Sequence, residues 1–455
     1  MSTDQKKINI FLPFEIKKRE LLSKVLLSKF LISNKKKIKI RCYIGSKTQI
    51  RKLIFLKKNY GGIFLYKGGL PFNQMKNLKT KVEKYIILDE EIGPASTWSI
   101  KRDLPKRLWK GTGKFIDSYY LIGKYVYGLS KKIFPKLQSK IKITGWPRVD
   151  LWRPEFNYIY KDTVKNLKKS HGKFILFSSD FTFTSIKRVN HEIEFWRNSE
   201  WKVMSENLNF IKNNAEKQLL EFQENIKFIR ELDKRSDIPQ IIVRPHPSDD
   251  LLEWRKIAKT LKRIKVIYRG EVTSWIYASS GVLHRGCTSA VEAYMAGIKS
   301  GYIVTNKEWI RQDLPYKLSK RLYSPNQIAE FCKYNIDKKP SPLKKYSDAF
   351  KSIVHIEKKF ACELIAEDML KFNVTSEPPC HHSVITKILD ILTVRLKKIN
   401  GFIIISIRKF KTNILLPDKM EGGVTKKEIK NVLKSLEPNH KLKVRQVLTD
   451  CVEIE

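Results

Sequence analysis

Residues 238–270 read IPQIIVRPHPSDDLLEWRKIAKTLKRIKVIYRG. The run Ile241-Ile242-Val243 is apolar and β-branched, too short for a helix and suited to a buried strand. It stops at Arg244-Pro245-His246-Pro247, where the prolines remove backbone donors and fix φ. DDLLEWRKIAKTLKR then has helical spacing, and IKVIYRG is strand-like again. A strand, a helix and a strand in this order form a parallel βαβ unit, the repeating element of a doubly covered α/β sheet.

The pattern extends in both directions. Upstream, KFILFSS reads as a strand, and residues 190 to 235 read as mainly helical. Downstream come VTSWIYAS (helix), GVLHRG (strand), TSAVEAYMAG (helix) and KSGYIVT (strand). The N-terminal part alternates in the same way. INIFLPF, KIKIRCYIG, GGIFLYKGG, YIILDEE, SYYLIG and KIKITGWPRVD are strand-like. EIKKRELLSKVLLSKFLIS, QIRKLIFLKKN and NQMKNLKTKVEK read as helices. GWPRVDLWRPEF breaks the alternation with two prolines and marks a boundary. The expected fold is therefore α/β: two Rossmann-like domains in tandem, at 1–156 and 157–340, with a cleft between them. A basic, mainly helical extension at 341–455 completes the expectation. In it DAFKSIVHIEKKFACELIAEDMLKF reads as one long helix, and VITKILDILTVRLKKI as an amphipathic basic one.

The length of 455 residues suits two or three domains, and a hydrophobic fraction of 42% is enough for sizeable cores. Lys and Arg number 90 against 46 Asp and Glu, a net charge of +44. Such a balance attracts nucleic acid, anionic lipid or phosphorylated ligands. The lysines are dispersed among Ile and Asn, however, so charge alone selects none of these. Six scattered cysteines without a C-x-x-C pair suit a reducing compartment and argue against structural zinc. The N-terminus lacks the apolar core of a signal peptide, and no apolar run reaches the ~18 residues of a membrane span. These features point to a cytoplasmic protein, with the inner face of the plasma membrane as a possible docking surface.

In open α/β sheets, ligands bind beyond the carboxyl ends of the strands. Four polar clusters fall at such ends. Arg244, His246 and Pro247 follow one strand, where the cation and the imidazole suit a phosphate and the next helix adds a positive dipole end. His284, Arg285, Gly286, Cys287, Thr288 and Ser289 follow another and open a helix; its free N–H groups and hydroxyls suit a phosphate. Glu292 lies one turn further, placed either to reach a ribose or to close a capping box with Thr288 or Ser289. Asp89, Glu90 and Glu91 end a third strand and could supply a general base or nucleophile. Ser178, Ser179 and Asp180 end a fourth. Each cluster also has a plain structural reading: a strand cap, a helix cap, a solvated acidic turn, loop polarity. No P-loop, nucleophile elbow or dinucleotide glycine triplet is present. Cys380, His381 and His382 could bind a metal, but adjacent histidines in a Pro-rich loop are usually incidental.

Taken in order, FEIKKREL, LDEE followed by Gly93, GWPRVD, RPHP and HRGCTSAVEAYMAG resemble the bacterial surface carbohydrate biosynthesis proteins. These are GT-B-like proteins, similar to bacterial polysialyltransferases and capsule β-Kdo transferases. The resemblance covers roughly residues 8 to 310. It implies a glycosyltransferase that uses a CMP-linked ulosonic acid, Kdo-like or sialic-acid-like. It places His246 and Pro247 at the CMP phosphate, Thr288 and Ser289 on the nucleotide, and the catalytic carboxylate in the acidic pair. Glu90 and Glu91 match that pair, but Ile92 stands where the family has glycine, which leaves open which carboxylate acts and with what stereochemistry. The implied partners are a CMP-sugar donor, a glycan or lipid-linked acceptor and an anionic membrane surface. No cofactor or metal is implied, and nucleic acid is disfavoured. Competing readings are a UDP-sugar 2-epimerase or a CDP-alcohol phosphotransferase of the same architecture, a basic nucleic-acid-binding protein, and a non-catalytic sugar-nucleotide binder.

Overall fold

The computed structural model describes residues 7–33, 38–56, 61–93, 100–198, 208–311, 313–341, 343, 345–374, 392, 396, 419 and 423–455. They form two compact units: unit 1 draws on Met1–Ile159, Tyr346–Lys398 and Lys419–Glu455, and unit 2 on Tyr160–Lys345. The strands, in chain order, are β1 (Lys7–Phe14), β2 (Lys39–Ser46), β3 (Ile63–Tyr66), β4 (Lys84–Leu88), β5 (Ser118–Leu121) and β6 (Ile141–Ile143). Unit 2 contributes β7 (Ile175–Ser178), β8 (Ile241–Arg244), β9 (Lys265–Val266), β10 (Gly281–His284), β11 (Ser300–Ile303) and β12 (Lys320–Leu322). β13 (Val444–Leu448) and β14 (Cys451–Ile454) follow near the C-terminus.

Unit 2 is a parallel sheet in the order β12-β11-β10-β7-β8-β9. Read from its other edge, this is the 3-2-1-4-5-6 order of a Rossmann fold, with the switch point between β7 and β10. The short apolar strands are explained by burial on both faces. Ile175, Phe177, Ile241 and Val243 face one core with Phe222, Trp254 and Phe331. Phe174, Leu176, Ile242 and Val282 face the other with Trp275 and Ile276. A strand buried on both sides loses the apolar–polar alternation and reads as a continuous apolar run.

The unit 1 sheet has the order β13-β14-β2-β1-β3-β4-β5-β6. β1 to β6 are parallel, and their chain reverses direction between β1 and β3, a second switch point. β14 pairs antiparallel with β2, and β13 with β14. The two Rossmann-like α/β sheets expected from the alternation are therefore present.

The described region after residue 341 holds helices, as expected, and also two strands that the sequence did not suggest. β13 and β14 extend the unit 1 sheet, with Cys451, Val452 and Ile454 fully buried. Helix Lys426–Leu436 packs on helix Lys17–Ser33. The expected single helix at 348–372 is two, Asp348–Ile353 and Ala361–Met369. The break arises because His355 N–H donates to the Ile122 carbonyl, and the buried Asp150 carboxylate caps the second helix. Asp150 accepts the Ala361 and Cys362 N–H groups at 2.9 Å each. The segment GWPRVD also differs from the expected strand, since Pro147–Asp150 is a helical turn with Pro147 at its start. Helix Lys17–Ser33 is covered by these additions, so Glu20, Ser23, Lys24 and Ser28 are buried beside its apolar stripe.

Among the described residues no helix is long and apolar enough to cross a membrane. Of the amphipathic 384–399 stretch only Leu392 and Leu396 are described, both helical and exposed. Cys380, His381 and His382 lie outside the described residues.

Candidate functional site

In unit 2 the expected nucleotide residues gather beyond the carboxyl ends of β7, β8 and β10, and a residue not singled out in the sequence organises them. Asp249 is fully buried. Its carboxylate accepts Phe181 N–H at 3.0 Å, His246 N–H at 3.0 Å and Trp254 Nε1–H at 2.9 Å, and also the Ser179 hydroxyl. One carboxylate thereby fixes the Arg-Pro-His-Pro turn to the Ser178-Ser179-Asp180 turn. Burial raises its pKa to about 7 against these four donors. A signal was visible in the sequence: Asp249 and Asp250 stand together, and a helix start needs one cap. Asp250 is that cap, accepting Leu252 N–H at 2.9 Å for helix Leu251–Thr260. Its own carboxylate thus occupies the helix start that the sequence reading offered to a phosphate.

His246 is held through its ring. Ser248 N–H donates to Nδ1 at 3.1 Å, with the Ser248 hydroxyl 2.7 Å from the same atom. The backbone donor requires a lone pair on Nδ1, so in the neutral ring the hydrogen sits on Nε2. The turn thereby fixes the orientation of the ring. Arg244 is buried, and its guanidinium donates to the Gly270 carbonyl and lies over the Tyr268 ring. It braces the β9 exit rather than reaching outward.

The segment around β10 divides by role. His284 is fully buried, with Nδ1 accepting Gly286 N–H at 3.0 Å and Nε2 2.8 Å from the Ser319 hydroxyl. Burial lowers its pKa to about 3, so it is a neutral structural histidine with both nitrogens engaged. Arg285 is buried too; it pairs with Glu221 and donates to the Asp180 carbonyl at 3.0 Å. Gly286 has φ 129°, a backbone state that residues with a Cβ rarely adopt, and the turn depends on it. Cys287 lies 3.7 Å from the Ser178 hydroxyl and in contact with Ser289, which joins the β7 and β10 ends at the switch point. Thr288 precedes helix Ser289–Met295 and makes no side-chain cap. Glu292 accepts from Thr273 at 2.9 Å, so the capping box offered by the sequence does not form.

In unit 1 the acidic triplet separates into three environments. Asp89 is fully buried and accepts from Arg107 at 3.0 Å and Tyr119 at 2.8 Å. Glu90 is buried in an ion pair with Lys24 at 3.1 Å, and its Oε1 has no partner. Glu91 keeps about a third of its side chain exposed and pairs with Lys67 at 2.6 Å and Arg107 at 2.7 Å. Burial opposes its charge, but Arg107 and Lys67 outweigh it and hold its pKa at about 2.

The sequence reading missed Glu15. It follows β1 at the unit 1 switch point, accepts from Tyr66, and contacts Lys67 at 2.7 Å and Lys47 at 3.5 Å. Lys67 therefore bridges Glu15 and Glu91, two carboxylates with similar exposure. Glu15 lies within FEIKKREL, and its position directly after a strand was the available signal. The glycine of LDEEIG is also explained: a Cβ on Gly93 would meet the Trp146 ring at 2.1 Å, so Gly93 packs flat on the tryptophan of GWPRVD.

Among the described residues there is no group of three or more His, Cys, Asp or Glu able to hold a metal. No protein-family model matches the chain, and no curated protein does. Solved structures similar to it include a Methanocaldococcus jannaschii UDP-GlcNAc 2-epimerase in complex with UDP-GlcNAc and UDP, at 11% identity over 80% of this chain and 100% of that one, TM-score 0.47. The S. aureus MnaA-UDP structure is 14% identical over 80% of this chain and 96% of that one, TM-score 0.45. The wall teichoic acid polymerase TagF is 10% identical over 81% of this chain and 88% of that one, TM-score 0.40. Likenesses of this size establish neither a family nor an activity, and the six parallel strands in each sheet themselves define this chain as a pair of Rossmann-like α/β units.

Proposed function

We propose that the protein is a GT-B glycosyltransferase of bacterial surface-polysaccharide synthesis. It would transfer a Kdo- or sialic-acid-like ulosonic acid from a CMP donor to a glycan or lipid-linked acceptor. The observation that carries the reading is the His246 turn: an imidazole oriented through Nδ1, with its donor on Nε2, at the carboxyl end of a Rossmann strand. In such sheets this is where a nucleotide phosphate binds. A phosphate leaving group gains most from a preorganised donor that need not reorganise during reaction. The sequence resemblance supplies the donor class, and the turn supplies the chemistry that class requires.

In this reading the unit 2 residues divide into contacts and braces. His246 and Pro247 shape the phosphate lip, while Ser178, Gly286, Cys287, Thr288 and Ser289 form the nucleotide wall at the switch point. Asp249, Ser179, Arg244, His284 and Glu292 hold those turns in place. Acceptor deprotonation falls to unit 1. Glu91 is the member of the acidic triplet with an exposed carboxylate, and displacement of Lys67 on acceptor binding would raise its basicity. The basic surface would keep the protein at the anionic inner face of the plasma membrane, where a lipid-linked acceptor is found.

The test is a thermal-shift and calorimetric comparison of CMP, UDP, CDP and GDP. CMP should stabilise most, and the effect should vanish in His246→Ala. A preference for UDP would overturn the donor assignment and favour an epimerase. Product analysis then separates the two, since release of CMP from a CMP-ulosonate occurs only in transfer or hydrolysis of that donor.

A further inference from the structure

A cavity of about 630 Å³ opens in unit 2 at the amino ends of β11 and β12, away from the strand ends that form the candidate nucleotide site. Its size is that of a small-molecule pocket. Ile298, Leu318, Phe331 and Leu343 give it apolar walls. Lys299 and Lys320 also line it, and both are exposed. No carboxylate lines the cavity, and neither lysine has an ion-pair partner among the described residues. The pairing of Gly301 with Lys320 sets the two lysines on the same face of neighbouring strands.

Buried polar groups lie beneath the lining. Asn335 lines the cavity and is 2% exposed. Its Nδ2 donates to the Phe331 carbonyl at 2.8 Å, while Oδ1 has no partner. Ser300, also in the lining, starts a polar chain through the unit. Its hydroxyl is 2.8 Å from that of Ser319, which is 2.8 Å from His284 Nε2, and His284 Nδ1 holds Gly286 N–H.

We infer that this cavity is a second ligand site, built for an acidic amphiphile. An acyl or prenyl body fits the apolar walls, and a phosphate or carboxylate fits Lys299 and Lys320. Its floor is hydrogen-bonded to the turn that carries Gly286, so occupancy bears on that turn. The assignment stands on the cavity alone and does not depend on the donor specificity proposed above.

The experiment is calorimetry of the full chain with octanoylglycerol 3-phosphate, kept below its micelle concentration. Saturable binding of one molecule per chain is expected. The exposed pair Lys299→Ala and Lys320→Ala should weaken it at least tenfold with an unchanged melting temperature. Uncharged octanoylglycerol should bind weakly and equally to both proteins. Hydrogen exchange should show protection at residues 294–300 and 331–335 on binding. The assignment is overturned by absence of saturable binding, by equal affinity in the double variant, by inorganic phosphate binding as tightly as the amphiphile, or by protection confined to other regions.

Discussion

Glu90 and Glu91 are adjacent in sequence and do different work. Glu90 lies in a buried pair with Lys24. Its replacement by Ala leaves that lysine buried and uncompensated, which costs about 3–5 kcal/mol. A large fall in melting temperature is the expected readout, with any loss of activity following the loss of folded protein. Glu91 is partly exposed and already compensated by Arg107 and Lys67. Glu91→Gln should lower the melting temperature modestly, because Arg107 and Lys67 lose a paired charge, and lower turnover by about 10²–10⁴-fold, the usual contribution of a general base. Normal turnover in Glu91→Gln would transfer the role to Glu15, and Glu15→Gln is the companion variant. At His246, a donor to an anionic phosphate is worth about 1.5–3 kcal/mol, so His246→Ala should weaken CMP binding roughly 10- to 150-fold. His246→Gln, whose amide can restore a donor near the Nε2 position, should recover part of it. A role confined to bracing the turn would give no such recovery. The strand-end positions of these residues were legible in the sequence, and their burial was not. Asp89, Glu90 and Glu91 look equivalent as letters; only their neighbours Tyr119, Lys24 and Lys67, distant in the chain, tell them apart.

The β10 exit is the element on which stability and site geometry meet. His284 is neutral in the fold, with its pKa lowered by burial to about 3, against an ordinary value near 6.5. A histidine lowered in this way contributes stability that is fully present above the unfolded value and is lost as pH falls towards the folded one. At pH 5 the loss reaches about 2 kcal/mol by linkage. Chemical denaturation at pH 7 and pH 5 should therefore show a fall in unit 2 stability that is smaller in His284→Asn. Asparagine can accept from Gly286 N–H and donate towards Ser319 without titrating. An equal fall in both proteins would assign the acid sensitivity elsewhere. Asp249 has the opposite sign: burial raises its pKa to about 7, so its contribution is complete below pH 4 and fades as pH rises towards 7. The sequence marked this element correctly as strand, glycine turn and helix. The division of its side chains into inward braces and outward contacts required the packing of Ser319, Glu221 and Thr273.

At the scale of the whole molecule, the C-terminal strands are part of the unit 1 core. Deleting residues 443–455 removes β13 and β14, with six buried apolar side chains at Val444, Val447, Leu448, Cys451, Val452 and Ile454. At ~1.5–3 kcal/mol for each apolar side chain, the loss is of order 5 kcal/mol or more. It also leaves β2 as an exposed apolar edge, which invites aggregation. The expected outcome is an insoluble or strongly destabilised chain; a truncated protein that melts normally would show the strands to be dispensable. A test of membrane binding by truncation must therefore keep these residues and replace the lysines or the 384–399 stretch instead. The sequence by itself determined the two parallel sheets, because short apolar strands alternating with helices can be buried only between two helical layers. It also determined where the carboxyl ends of the strands lie, because the strands stop at prolines, glycines and charges. Tertiary structure alone decided that the last strands return to the first sheet, since an edge pairing joins residues some 400 positions apart and leaves no local pattern. It also decided which polar residues are braces and which face outward, since burial belongs to the packed neighbourhood and not to the residue.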